Sequence, residues 1–68
     1  MRKRELEALM KLHGDTGNTL AEAIGMARST FSAKLNETNG AEFNQGEIKA
    51  IKVRYNLTAE QVDSIFFD

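Results

Sequence analysis

The segment TLAEAIGMARSTFSAKLN (residues 19–36) contains two short helical patterns separated by a glycine. Gly25 can adopt positive φ at little steric cost, so the first helix can end abruptly there. In each pattern two apolar residues four positions apart give the helix one apolar face: Leu20 with Ile24, and Phe31 with Leu35. The segment therefore predicts two helices that are joined by a tight turn and face one core.

The outward face of the second helix, expected at about residues 28–36, carries small polar side chains behind a leading arginine. Such a face suits a DNA major groove, where bulky side chains would hold the helix away from the base edges. Arg28 could bind guanine O6 and N7, Ser29 and Ser32 could bond to several bases, and Ala33 could touch a thymine methyl. The alternative is the solvated face of an ordinary small helical bundle.

Residues 20–32, LAEAIGMARSTFS, resemble the helix-turn-helix of the phage repressor and Cro class of transcriptional regulators, also called XRE-like. The likeness covers nearly the whole chain and is to small prophage-encoded members. It implies an all-α, compact five-helix, lambda-repressor-like domain over residues 1–68, with the helix-turn-helix at about residues 17–36. It also implies binding to double-stranded operator DNA, usually as a homodimer, and regulation of transcription as a repressor or Cro-like protein.

Two positions depart from the pattern of that family. The family often has glutamine at the position of Gly17, where it helps to hold a phosphate, and serine or threonine as N-cap at the position of Ala27. The glutamine contact is therefore absent. Alanine is a poor N-cap and costs about 1 kcal/mol of local helix stability.

Helix starts beside the recognition helix are the main source of expected phosphate contacts. Thr16 is the expected N-cap of the second helix, and Asn44 that of a fourth helix, where Glu47 completes a capping box. Backbone N–H groups at helix starts attract anions. The residues expected to contact phosphates are Thr16, Asn18, Thr19, Lys34, Asn36, Asn44 and Gln45. The alternative is plain capping at the helix starts and, for Lys34, shielding of the core.

Helical signals account for the rest of the chain. Leu6, Leu9 and Met10 have helical spacing, and Gly14 can end that first helix. Thr58 and Gln61 form a second capping box before a last helix. No strand-like alternation competes with these patterns.

The composition argues against several classes of function. The 68 residues include no cysteine and one histidine, so neither a disulfide framework nor a metal site is expected. The sequence has no cofactor motif and no catalytic constellation, which argues against an enzyme and against a small-molecule substrate. No apolar run reaches the roughly 20 residues that span a bilayer, so a soluble protein of the bacterial cytoplasm is expected.

The formal net charge of −1 contrasts with the basic excess that DNA-binding domains usually carry. The basic start, Arg2-Lys3-Arg4, could form an arm that touches DNA, but a solvated helix start is the commoner case for such a sequence. The group of Lys49, Lys52 and Arg54 is interpreted as a solvated face. We therefore expect weak non-specific DNA binding, with specificity that rests on a dimer.

The C-terminal residues Ile65, Phe66 and Phe67 carry more apolar area than a helix can turn inward from three consecutive positions. Exposed phenylalanine commonly marks a partner surface, so these three residues are the expected homodimer interface. The alternative is a terminal lid on the core. A competing function is that of a small phage modulator, which would use the same fold to bind a partner repressor protein rather than DNA.

Overall fold

Five α-helices form the protein, whose structure is a computed structural model that describes residues 1–67. The helices are α1 (Lys3–Leu12), α2 (Gly17–Ala23), α3 (Arg28–Leu35), α4 (Gln45–Tyr55) and α5 (Ala59–Phe66), with a short 3-10 turn at Thr38–Gly40 between α3 and α4. No strand occurs within these residues. The prediction of an all-α, five-helix fold is confirmed.

A single apolar core receives side chains from every helix. Its buried residues are Leu6, Met10, Leu20, Ala21, Phe31, Phe43, Ile48, Ile51, Tyr55, Leu57, Val62 and Ile65. Phe43 lies at the centre of an aromatic row, because its ring centroid is 5.6 Å from that of Phe31 and 6.0 Å from that of Phe66. This row joins α3 to α5 through the segment that precedes α4.

Three helices begin with the capping boxes that their sequences allow. Thr16 accepts the N–H of Thr19 at the start of α2, and the Thr19 hydroxyl accepts the N–H of Thr16. The equivalent reciprocal pairs are Asn44 with Glu47 at α4, and Thr58 with Gln61 at α5. The predicted caps at Thr16, Asn44 and Thr58 are confirmed, and they satisfy backbone donors that a helix start leaves without partners.

The turn between α2 and α3 depends on Gly25, which has φ of 78°. The N–H of Met26 donates to the carbonyl of Ala21 at 3.0 Å, and the N–H of Gly25 donates to the carbonyl of Glu22 at 3.2 Å. This pair of bonds is the Schellman arrangement, which ends a helix at a left-handed residue. Ala21 is 1% exposed, so its small side chain lies inside the core beside this turn.

An ion-pair cluster fastens α4 to the segment between α1 and α2. Arg54 donates through Nη2 and Nε to the two carboxylate oxygens of Asp15, at 2.7 and 2.8 Å. Tyr55 and Thr19 donate their hydroxyls to the same carboxylate, at 2.6 and 2.8 Å. Arg54 is exposed, in agreement with the interpretation of a solvated face, but its guanidinium is also one half of a bidentate ion pair, which that interpretation did not include.

The surroundings of Asp15 explain its titration. The hydrogen bonds from Arg54 lower the pKa of Asp15 most, burial opposes them, and the bonds from Tyr55 and Thr19 lower it further, to well below its usual range. Burial and the bond to Asp15 raise the pKa of Tyr55. Asp15 is thus held ionised, with a side chain that is 5% exposed.

The C-terminal apolar run divides between core and surface. Ile65 is 3% exposed, Phe66 is partly buried against the core, and Phe67 is 60% exposed. The expectation that Ile65 belongs to an exposed dimer interface is corrected, because this residue faces the core. The carbonyl of Ile65 also accepts the N–H of Arg2 at 2.6 Å, which ties the start of α1 to the end of α5.

Asp15→Asn should destabilise the protein by about 2 kcal/mol at neutral pH, because it removes the anion that Arg54 and Tyr55 were arranged to bind. The folded pKa of Asp15 is depressed, so its contribution to stability is present above the unfolded pKa of about 3.9 and is lost as the pH falls below that value. Urea unfolding at a series of pH values measures both effects.

The difference between wild type and Asp15→Asn should therefore shrink as the pH is lowered below about 4. Glu7→Gln is the control, since it neutralises an exposed carboxylate on α1. A difference between Asp15→Asn and wild type that does not change with pH would contradict the role given to the Asp15 charge.

Candidate nucleic-acid interface

The outward face of α3 consists of small and polar residues that are open to solvent. Arg28, Ser29 and Ser32 are exposed, and Ala33 is half-buried. Behind this face Phe31 is 2% exposed in the core, and Leu35 packs against the core as well. The structure therefore leaves the three polar residues that were predicted to contact bases accessible, and leaves Ala33 partly accessible.

Arg28 lies beside Gly17, the first residue of α2. A Cβ atom built on Gly17 would be 3.9 Å from Arg28 Nε and 3.9 Å from the Phe31 ring. Both distances are ordinary van der Waals contacts. Because glycine has no side chain, the Arg28 side chain can lie close to the backbone at position 17. A longer side chain at position 17 would compete with Arg28 for the same space.

The hydroxyls at the start of α2 are engaged within the protein. Thr16 and Thr19 bond reciprocally in their capping box, and Thr19 also donates to Asp15. Thr19 thus donates its hydroxyl hydrogen within the protein, whereas the Thr16 hydroxyl oxygen accepts in the capping box and can still donate its hydrogen. The phosphate contacts expected of Thr16 and Thr19 stay predictions, and the one at Thr19 would require its hydroxyl to leave Asp15. Asn18 is exposed in the first turn of α2, where the structure keeps it accessible.

Lys34 has a different partner from the one expected. Its ammonium donates to both carboxylate oxygens of Glu47, at 2.7 and 2.8 Å. Both side chains are largely buried, with 20% of Lys34 and 16% of Glu47 exposed. The expectation of a Lys34–phosphate contact is corrected, because a half-buried lysine already paired with a carboxylate would have to break that pair to reach DNA.

Glu47 thereby connects α3 to the cap of α4. Its Oε1 accepts the N–H of Asn44 at 2.9 Å, and Asn44 Oδ1 accepts the N–H of Glu47 at 2.8 Å. Burial raises the pKa of Glu47, but the bonds from Lys34 and Asn44 outweigh it, so the net shift of the pKa is downward. The carboxylate is therefore held ionised between α3 and α4.

The start of α4 projects its first amides beside this ion pair. In a helix of this geometry the N–H groups of Gln45 and Gly46 have no acceptor within the helix, and they lie at its positive end. The Gln45 side chain is exposed. Asn44 caps the helix as predicted, so an anion at this point would be bound by backbone amides and Gln45 rather than by the Asn44 side-chain oxygen.

Asn36 and Lys3 meet at the other end of α3. The Asn36 amide donates to the Ser32 carbonyl at 2.9 Å and to its hydroxyl oxygen at 3.3 Å, and Asn36 Oδ1 accepts from the Lys3 ammonium. The expected Asn36–phosphate contact is corrected, because this side chain orders the end of α3 instead. Lys3 is the cation placed beside it.

The sequence left Lys3 open between a solvated helix start and an arm that touches DNA, and it did not reveal the contact with Asn36. No local pattern could have found it, since Lys3 and Asn36 are 33 positions apart. The contact follows from the packing of α1 against the rest of the bundle.

Comparison with known proteins gives no relative for this chain: it matches no protein-family model, no curated protein and no solved structure. Within residues 1–67 no helix combines the length and apolar character that a membrane span requires. The same residues contain no group of three or more histidine, cysteine, aspartate or glutamate side chains that could hold a metal ion.

Ala27→Ser should stabilise the protein by about 1 kcal/mol, because Ala27 is the N-cap of α3 and supplies no side-chain acceptor there. Its φ of −68° and ψ of 150° already suit a capping residue. Thermal or urea unfolding measures the gain. Ala23→Ser is the matched control, since the same change inside α2 should give no gain. An equal effect at both positions would contradict the capping explanation.

Proposed function

We propose that the protein is a sequence-specific DNA-binding transcriptional regulator of the repressor or Cro type, which inserts α3 into the major groove of double-stranded operator DNA. One observation carries the proposal: the polar face of α3 is exposed while Phe31 anchors the helix from behind at 2% exposure. The resemblance of residues 20–32 to the phage-repressor helix-turn-helix supports it.

The base contacts would come from the exposed face of α3. Arg28 can bind guanine O6 and N7 with its two-pronged guanidinium. Ser29 can donate to or accept from a base edge, and Ser32 keeps its hydroxyl hydrogen for donation because its oxygen accepts from Asn36. Ala33 offers a methyl group to a thymine methyl from its half-buried position.

The phosphate contacts would lie at both ends of α3. The first amides of α4, together with Gln45, can bind one phosphate. Lys3 can approach another, because its ammonium is already held at the C-terminal end of α3 by Asn36. Asn18 is the candidate at the start of α2. Lys34 would act as a positioning residue that sets the distance between α3 and α4 through Glu47.

A homodimer in the bacterial cytoplasm is the form that fits this function. The domain measures 27 × 25 × 21 Å. In a dimer of two such domains side by side, the distance between the two copies of α3 would be of the same order as the spacing of about 34 Å between half-sites of a pseudo-palindrome. Such a dimer would compensate for the small number of cations that each copy presents to the DNA.

A second candidate function is binding to a partner repressor protein. The net charge of −1 and the exposed apolar side chains of Leu12, Val53 and Phe67 favour it. Selection of bound duplexes from a random DNA library separates the two, because a protein modulator would enrich no sequence. Failure to enrich any sequence at about 50 mM salt would overturn the proposal of DNA readout.

Arg28→Ala should weaken binding to the selected sequence by about tenfold to a hundredfold and relax the preference for guanine at one position, since a bidentate base contact is lost. Gln45→Ala should weaken binding to all sequences alike, because it removes a phosphate contact. Titration of the selected and a scrambled duplex by fluorescence anisotropy measures both. If Arg28→Ala weakened both duplexes equally, its role in base recognition would be wrong.

Lys3→Ala should lower the slope of log affinity against log salt concentration by about one phosphate contact. Lys11→Ala is the matched control, because Lys11 is an exposed lysine in the last turn of α1 and should leave the slope unchanged. Each variant loses one positive charge, so a difference between their slopes reports the position of the lysine and not the total charge. Identical slopes for the two variants would contradict a phosphate contact at Lys3.

A further inference from the structure

Two large apolar side chains are exposed on one side of the domain, between α4 and α5. Val53 is 72% exposed and Phe67 is 60% exposed. Both border a groove whose apolar lining also includes the buried residues Ile48, Leu57 and Val62. We call this region, together with the charged residues on its two sides, the α4–α5 surface.

Charges of opposite sign lie on the two sides of this groove. Lys49 and Lys52 line it from α4. On α5, Glu60 and Asp63 are exposed and lie three positions apart, so they share one face of the helix. Asp63 also borders the same small pocket as Phe67, the residue that follows α5 and lines the groove, together with Arg2, which pairs with Glu5. The two lysines and the two carboxylates sum to zero. The surface is therefore an apolar strip with a basic edge and an acidic edge.

Such a surface is complementary to itself. A two-fold axis along the strip would turn one copy over onto another, so that the α4 edge of each copy lies on the α5 edge of the other. In an interface of this symmetry the same patch is used on both subunits, and it must match itself in shape and charge. A uniformly acidic partner would face Glu60 and Asp63 with like charge, so it fits this surface less well.

We propose that the α4–α5 surface binds a second copy of this chain, with Lys49 and Lys52 facing Glu60 and Asp63 of the partner subunit around a centre of Val53 and Phe67. The inference deepens the homodimer of the proposed function, and its purpose in DNA binding rests on that function. The groove is lined by α4, α5 and the turn between them. Association through it therefore leaves the polar face of α3 uncovered. Gln45 lines the groove at the start of α4, but Val53 is eight residues further along the helix, about 12 Å away along its axis, so a contact centred on Val53 and Phe67 can leave Gln45 accessible to a phosphate.

A pair of charge-reversed variants tests the inference. K49E/K52E makes both edges acidic, and E60K/D63K makes both edges basic. Sedimentation equilibrium should show wild-type dimers, and each variant alone should self-associate at least about tenfold more weakly, because like charges then face each other. An equimolar mixture of the two variants should recover dimers, since each supplies the edge that the other lacks. Circular dichroism checks that both variants remain folded.

Substitution of the exposed apolar residues provides an independent test. V53S/F67S should reduce self-association, whereas Leu12→Ser should not, although Leu12 is 78% exposed on α1. A monomeric wild type would overturn the inference. So would loss of dimers on Leu12→Ser with retention in the charge-reversed variants, because the interface would then lie on α1.

The outcome for the dimer is separable from the outcome for DNA binding. Sedimentation is measured without DNA, and binding to a single selected half-site is measured by anisotropy with the same variants. A wild type that dimerises and enriches no DNA sequence would overturn the proposed function and keep this interface. A monomeric wild type that binds a half-site would keep the proposed function and overturn this interface.

Discussion

The contact between the rings of Phe31 and Phe43 is the constraint on which the interface geometry depends. Phe31 anchors α3 from the core side, and its ring centroid is 5.6 Å from that of Phe43. Phe43 directly precedes Asn44, the N-cap of α4. One aromatic contact therefore fixes the core side of α3 and the point at which α4 begins. The helix start proposed to bind a phosphate and the helix proposed to read bases would then be held at one separation without a ligand.

Two of the nine lysine and arginine side chains are paired with carboxylates that join one helix or segment to another. Glu47 neutralises Lys34, and Asp15 neutralises Arg54, in ion pairs at 2.7 Å. These cations are engaged in holding helices together, so they add little to the long-range field that attracts DNA. The proposed regulator would therefore have few phosphate contacts per copy. Its selectivity would depend on base contacts from α3 and on the pairing of two copies.

The parts of the fold that the sequence predicted are those encoded within a few residues. The box of Asn44 with Glu47 and the turn at Gly25 are local, and both are confirmed. The ion pairs of Asp15 with Arg54 and of Lys34 with Glu47 join positions 39 and 13 apart, so no local pattern reveals them. For Ile65, three consecutive apolar residues left open which would face the core, and only packing against the other helices decided it.

The same distinction between local and long-range contacts explains why the candidate site was predicted only in part. Exposure of Ser29 and Ser32 follows from the helical period, because Ser29 lies opposite Phe31 and Ser32 lies on the flank of that outward face. Arg28 is exposed because it is the first residue of α3. The helical period could not show whether Lys34 and Asn36 are available to phosphates, because the partners of these side chains lie far away in the sequence. Each has a partner on another helix, Glu47 on α4 and Lys3 on α1. Polar side chains beside the core of this domain join one helix to another, and only the polar groups outside these contacts remain available to a ligand. In this domain those groups are the outer face of α3, the first amides of α4 and Asn18. The Lys3 ammonium takes part in one such contact, with Asn36, and has further hydrogens that it can donate to a ligand.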